Sequence, residues 1–321
     1  MAAEPAPSDA DRSKARIGLL DTARGVALLA MATYHFSWDL EFFGYLDAGT
    51  TTQGLWKLYA RAIASSFLFL AGFSLVLGHF PAIRWRSYWK RLAMIFAAAM
   101  AITVGTAIAV PNGMIFFGIL HSIAAASLVG LLFLRLPALV AIVAAVAVVV
   151  APFYLRSPFF DTPFLWWLGL SETLPRSNDY VPLLPWLAPF LLGLAMAKIA
   201  MSRGWLVTLA AFGTGSGPFA KAGRHSLLVY LLHQPILMAI VYAISLVHPP
   251  AQIDPGAAYV GNCEATCSVE EDAAFCARFC GCTLERLNEQ KLFTALQQGQ
   301  VSPEKDERIQ RIALECSTVS R

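Results

Sequence analysis

Residues 137–154 read PALVAIVAAVAVVVAPFY, eighteen positions without one charged side chain. A helix on a soluble domain keeps a polar face toward water. This run is apolar on every face, which suits a hydrocarbon surround. A span needs about 20 predominantly apolar residues, and six further runs approach that length: 17–37, 55–79, 89–110, 114–134, 181–200 and 225–247. The expectation is an all-α, polytopic membrane protein with about 7 transmembrane helices.

The composition agrees. Of 321 residues, 57% are hydrophobic and only 14% charged, with a mean hydropathy of +0.58. Globular domains carry about 25% charge, so a soluble fold, a disordered chain and a coiled coil are excluded. No long basic stripe is present, and no nucleic-acid partner is expected. The lipid bilayer is the first partner.

Breaks between the runs shape the rest. Pro111-Asn112-Gly113 joins the third and fourth runs as a tight hairpin, and Arg135-Leu136-Pro137 turns the fourth into the fifth. Residues 155–180 are rich in proline and aromatics (Phe159, Phe160, Trp166, Trp167) and read as an interfacial or re-entrant loop. Residues 204–213 are apolar but too short to span, and Gly213, Gly215, Gly217 and Pro218 break them; an interfacial helix is expected. The first run contains Asp21 and Arg24 and no cleavage site follows it, so it reads as a retained span rather than a signal peptide.

Charge gives orientation. With 1–16 as a polar cytoplasmic N-terminus, twelve basic residues face inward: Arg12, Lys14, Arg16, Arg84, Arg86, Lys90, Arg91, Arg135, Lys198, Arg203, Lys221 and Arg224. Only Lys57, Arg156 and Arg176 face outward. Seven spans then place the C-terminal segment outside. The expected organisation is the N-terminus 1–16, a membrane domain 17–247 and a cysteine-rich extracytoplasmic tail 251–321.

The tail differs in kind. Residues 248–321 hold 7 Lys/Arg against 11 Asp/Glu and all six cysteines: Cys263, Cys267, Cys276, Cys280, Cys282 and Cys316. An even set in one segment predicts disulfides, which persist outside the cytosol and agree with the orientation. C-x3-C and C-x-C are not the usual zinc spacings, and fifteen connectivities remain open. Ser268 with Glu271 predicts a capping box opening a helix, and Ser302-Pro303 predicts the start of another that ends near Cys316. The tail is therefore expected to be a small helical, disulfide-linked domain.

Ionisable groups inside a span cost about 2.5–3.5 kcal/mol each on insertion scales, so each one points to function. The first run holds Asp21, Arg24 and His35. Arg24 and His35 are eleven positions apart, which returns them to one helical face roughly 16 Å apart along the axis. Asp21 is one turn from Arg24 and able to pair with it. Asp39, one turn beyond His35, is placed to orient the imidazole, and a His–Asp pair tunes a general base; the alternative is a structural Asp21–Arg24 ion pair at the helix entry, with His35 an interfacial histidine beside Trp38. Arg61 offers a guanidinium for a carboxylate or phosphate, or else snorkels to the interface. His121 is a second catalytic candidate, against the alternative of a satisfied core histidine. Ser226, Tyr230 and His233 share one face, as a polar lining or an interhelical hydrogen-bond seam. No P-loop, dinucleotide fingerprint or G-x-S-x-G is present, and metal-ligand spacing is absent from the spans, so no metal is expected.

An ordered set of motifs carries a family resemblance. It runs Arg16-Ile17, Leu20-Asp21-x-x-Arg24-Gly25-x-Ala27, His35, Trp38-Asp39-Leu40, Phe43-Gly44 and Phe67-Leu68-Phe69-Leu70-Ala71-Gly72-Phe73-Ser74. Then come Gly118-Ile119-Leu120-His121-Ser122-Ile123, Pro182-Leu183-Leu184-Pro185-Trp186, Gly223-Arg224-His225-Ser226 and Tyr230-Leu231-Leu232-His233-Gln234-Pro235. Over residues 16–247 the chain resembles the bacterial branch of the heparan-α-glucosaminide N-acetyltransferase-like membrane proteins. The Arg24-x10-His35 spacing also resembles the first-helix motif of the type-3 membrane acyltransferases. The lysosomal enzyme's proposed catalytic histidine follows its first span, whereas 40–54 here has no histidine, so His35 rests on the first-helix motif.

The resemblance implies an acyltransferase in a bacterial inner or plasma membrane. Its donor would be cytoplasmic acetyl-CoA or another acyl-CoA, and its acceptor a hydroxyl or amine, often on a sugar or envelope glycan, across the membrane. On that reading Arg24, Arg91 and Arg224, with Asp21, Arg61 and His233, form the donor-binding set. His35, Asp39 and His121 are the catalytic candidates. A different class of function is a multi-pass transporter, or an envelope scaffold whose cysteine-rich tail binds a partner; the chain shows no internal repeat of the transporter kind.

Overall fold

The computed structural model describes residues 17–47, 49–211, 215–250, 254–268, 271–303 and 306–320. The expected cytoplasmic segment 1–16 lies outside them, as does the end of the apolar run 204–213. The described residues form thirteen α-helices and no strand. They are α1 Gly18–Phe42, α2 Gly54–His79, α3 Trp85–Ala109, α4 Ile119–Phe133, α5 Ala138–Leu155, α6 Leu183–Ser202, α7 Trp205–Ala211, α8 Pro218–Arg224 and α9 Ser226–Val247. The tail adds α10 Pro255–Cys267, α11 Ala273–Glu289, α12 Phe293–Gln297 and α13 Glu307–Ser320.

Each of the seven apolar runs forms a helix, but only five (α2, α3, α5, α6 and α9) are long and apolar enough to cross a membrane by length and composition. α1 has the length, at 25 residues, yet carries Asp21, Arg24, Asp39 and Glu41. α4 has 15 residues, about 22 Å at 1.5 Å per residue. The predicted span 114–134 starts late because Gly118 is extended, at φ −87° and ψ −170°. The hairpin is therefore more than Pro111-Asn112-Gly113: a 3-10 turn there is followed by an irregular stretch up to Gly118. The stretch 155–180 holds two 3-10 turns, Pro158–Asp161 and Trp166–Leu168, and no α-helix.

Two compact units divide the chain. One comprises residues through His35 together with Lys57–Leu237, and the other Phe36–Trp56 with Met238–Arg321. The division falls inside α1 and α9.

In the first unit the core is apolar and close-packed. Leu68 and Val76 of α2 and Phe190, Leu191 and Leu194 of α6 have no exposed surface. Two glycines let these helices meet backbone to backbone: a Cβ on Gly72 would lie 2.0 Å from the Phe190 oxygen, and one on Gly193 would lie 2.0 Å from the Phe69 oxygen. Small residues serve this purpose in membranes, where helices gain by close packing rather than by leaving water. α4 is tied at both ends. Asp179 Oδ2 accepts the Ile119 N–H at 3.0 Å, and Lys198 Nζ donates to the carbonyls of Phe133, at 2.7 Å, and Leu136. These groups satisfy helix-terminal donors and acceptors that have no partner within the helix.

In the second unit Glu41 organises the loop after α1. Its carboxylate accepts from Gly49 N at 2.6 Å, Thr51 N at 2.8 Å and Thr51 Oγ1 at 2.6 Å. The tail is helical and cross-linked, as composition required. Cys263–Cys280 encloses Cys267–Cys276, pairing α10 with α11, and Cys282–Cys316 fastens α13. Leu287, Leu292, Ile309 and Ile312 fill the small core between them. Staples are expected in so small a core, each worth about 2–4 kcal/mol.

Two helix starts in the tail depart from expectation. Ser268 ends α10 instead of opening the next helix, and Asp272 caps α11 by accepting from Ala274 N and Phe275 N, each at 2.9 Å. The 267–276 bridge joins the end of α10 to the first turn of α11. Likewise α13 begins at Glu307, not at Ser302-Pro303. Asp306 supplies its carboxylate there to Arg308 N at 3.0 Å.

Candidate functional site

Three arginines from separate segments meet in the first unit. Arg24 of α1, Arg91 of α3 and Arg224 at the end of α8 line one cavity of about 620 Å³. Its remaining wall is mostly apolar, with Phe67, Leu70, Met94, Ile95 and Leu120 among the lining residues, together with His225, Ser226 and Tyr230. Arg24 is held on both sides. Its Nη1 donates to Asp21 Oδ1 at 2.9 Å, and its Nη2 to Ser74 Oγ at 2.5 Å. Among the described residues Arg91 and Arg224 have no carboxylate partner. The cavity thus presents more positive than negative charge inside an apolar wall, a setting in which phosphates and carboxylates bind guanidinium well.

The local sequence explains the convergence. Gly223 precedes Arg224 on α8, and a Cβ there would lie 1.8 Å from the Asp21 carbonyl oxygen. Gly25 on α1 is equally confined, its Cβ position 2.0 Å from the Phe219 oxygen. Two bare backbones let α8 press onto the first turns of α1 and bring Arg224 beside the Arg24 region. Leu28, Met31 and Ile63 form a second buried cluster, against which Ala222, Val229 and Tyr230 pack.

Farther along α1 the second ionisable group of the stripe has company. The rings of His35 and His233 are edge-on with centroids 4.9 Å apart, and Tyr230 lies 5.7 Å from His233. Tyr230 also lines the arginine cavity. One helical face of α9 therefore runs from the cavity wall to the histidine pair.

The comparisons bear on this arrangement. The family model described as heparan-alpha-glucosaminide N-acetyltransferase, catalytic, matches residues 16–235. The chain belongs to this family. The matched stretch contains the three arginines, Tyr230 and both histidines, while the disulfide-linked tail lies outside it. Curated proteins and solved structures each return no match. As a member of the acetyltransferase family with several membrane-length apolar helices, the protein is an integral membrane protein.

In this acetyltransferase-family chain the other candidate residues lie as follows. Asp39 is fully buried and belongs to the second unit. Arg61 is exposed on α2 and does not line the cavity. His121 uses both ring nitrogens: Nδ1 accepts from Gly118 N at 3.3 Å, and Nε2 lies 3.2 Å from Thr103 Oγ1. Thr103 donates onward to the Ile115 carbonyl at 2.7 Å, so His121 braces the entry to α4. Asp179 braces the same entry, and its enclosed position pushes its carboxyl up to about 6 despite the bond from Ile119. Among the described residues no group of three or more His, Cys, Asp or Glu is placed to hold a metal ion.

Ser74 carries little signal in the sequence as part of this site, whereas Tyr230 shares its face with Ser226 and His233. Ser74 closes the Phe67–Ser74 motif, and a hydroxyl next to apolar positions on the α2 face toward Arg24 is the signal it carried. Helical spacing places Tyr230 with His233, and its place on the cavity wall depends on how α9 packs.

Proposed function

We propose that this protein is a membrane acyltransferase that takes an acetyl or other acyl group from acyl-CoA and delivers it to a hydroxyl or amine of a sugar or envelope glycan. The observation supporting this most directly is the convergence of Arg24, Arg91 and Arg224 on one apolar-walled cavity. Acyl-CoA carries a pyrophosphate and a ribose phosphate, and guanidinium groups bind phosphate oxygens through paired, charge-assisted hydrogen bonds. The donor's anionic end belongs with the arginines. Its thioester end extends past Tyr230 toward His35, roughly 16 Å along α1 from Arg24.

His35 meets the acceptor at that end. An apolar passage limits water at the thioester, so transfer outruns hydrolysis. The excess of basic residues in the segments assigned inward supports a cytoplasmic donor, a far-side acceptor and a tail outside. The disulfides are consistent with that placement.

The test uses purified wild type and His35→Ala in nanodiscs with radiolabelled acetyl-CoA and an envelope glycan extract. Donor binding by both, with transfer by wild type alone, is the expected result. A folded wild type that binds neither acetyl-CoA nor a long-chain acyl-CoA overturns the reading. Function lost on removal of 251–321 but kept in His35→Ala would instead favour a scaffold.

A further inference from the structure

His233 sits three residues after Tyr230 on α9, and its Nδ1 lies 2.6 Å from the Tyr230 carbonyl oxygen. A carbonyl oxygen only accepts. Nδ1 therefore carries the hydrogen, and Nε2 of the neutral ring carries a lone pair. That Nε2 is buried and has no hydrogen-bond partner among the described residues. Buried side-chain acceptors in folded proteins are nearly always bonded, and the exceptions gather where protons or substrates are handled. The ring bearing this lone pair touches His35 on one side and Tyr230, a wall of the arginine cavity, on the other.

We propose that His233 is the base that takes the acceptor's proton, an inference that rests on the acyltransferase reading above. The acceptor O–H or N–H gives its proton to His233 Nε2 as its oxygen or nitrogen bonds to the thioester carbonyl carbon. The C–S bond then breaks, and the departing thiolate takes the proton back from Nε2. Ester or amide and free thiol are the products, and His233 returns to its starting tautomer. During the step the ring is a cation, and the Nδ1–H on the Tyr230 carbonyl becomes a charge-assisted bond that stabilises it. The same bond aims Nε2 and prevents a tautomer exchange that would remove the lone pair. His35, edge-on to this ring, is left to orient the acceptor.

A purely structural His233, a seam contact between α1 and α9, predicts something different. The experiment compares wild type and His233→Gln in nanodiscs, with size-exclusion profile and thermal midpoint as folding controls. Acetyl-CoA affinity is measured first. Radiolabel transfer is then followed to the glycan extract and, separately, to hydroxylamine, an amine that is unprotonated at pH 7 and has little need of a base. His233→Gln should bind acetyl-CoA within about twofold of wild type. Its transfer to the extract should fall by about 10²–10⁴-fold, the usual share of a general base. Its loss toward hydroxylamine should be at least tenfold smaller, and added imidazole should restore part of the transfer to the extract in His233→Ala. Equal losses toward both acceptors, or transfer to the extract within threefold of wild type, would overturn the proposal. If wild type binds no acyl-CoA and labels neither acceptor, the acyltransferase reading fails, and this inference with it.

Discussion

Gly223 and the carbonyl of Asp21 are in such close approach that a methyl group on Gly223 would lie 1.8 Å from that oxygen. The obstacle is backbone, which cannot swing aside, so a side chain there must push α8 away from α1. Gly223→Ala should lower the thermal midpoint by an amount equivalent to about 1–3 kcal/mol. It should also weaken acetyl-CoA binding, because Arg224 is the next residue. Gly105→Ala on α3, where nothing lies within 4 Å of the added carbon, should leave binding unchanged and should not lower the midpoint. Differential scanning fluorimetry and a binding isotherm on the two variants check the contrast.

Arg91 lines the cavity with no carboxylate partner among the described residues. Arg91→Gln should therefore remove a phosphate contact without stranding an internal partner. A hydrogen bond to a charged group is worth about 1.5–3 kcal/mol, which corresponds to an affinity loss of roughly ten- to a hundredfold. Arg61→Gln, exposed and off the cavity, should change affinity less than twofold. Titrations of labelled acetyl-CoA decide between these outcomes, and affinity in wild type should fall as salt is raised.

Asp179 has its carboxyl raised to about 6 by enclosure, above its ordinary 3.8. A folded state that favours the protonated form has its full stabilisation below pH 4 and loses it as pH rises through about 6. Above that pH the ionised group is a cost. Asp179→Asn, which keeps an oxygen for the Ile119 N–H, should raise the thermal midpoint at pH 7.5 by the equivalent of about 1–2 kcal/mol. The gain should shrink at pH 4. A larger gain at pH 4 than at pH 7.5 would contradict the argument.

The Cys282–Cys316 bridge is the covalent tie between α11 and α13, across 34 positions of sequence. Replacing both cysteines by serine should cost about 2–4 kcal/mol locally. Hydrogen exchange should speed up across 307–320 and change little across 255–289, where the nested pair remains. Peptide mapping without reductant should recover Cys263 linked to Cys280 and Cys267 linked to Cys276.

Much of the architecture is written locally and therefore reads from sequence. Apolar periodicity and length pick out each of the seven helices, and Asp21 and Arg24 stand out because charge is costly among apolar neighbours. What fails to read is set by partners distant in sequence. The late start of α4 depends on Asp179, sixty positions away, capping Ile119. Asp272 rather than Ser268 caps α11, next to a 267–276 bridge whose partner choice spacing alone does not give. Ser268 and Glu271 have the right spacing, but that spacing carries no information about the cross-link. The meeting of three arginines required an α8 that lies flat on α1, and only the two glycines hint at it. The same is true of His35 and His233, two residues on different helices whose pairing no local pattern encodes.

α1 is unbroken from Gly18 to Phe42, and Arg24 and His35 both ride on it. A continuous helix has no joint, so the interval between its guanidinium and its imidazole is a constant of the molecule. On the acyltransferase reading the helix is in effect a gauge: a donor whose anionic and reactive ends are separated by a different length would be held at one end and out of register at the other.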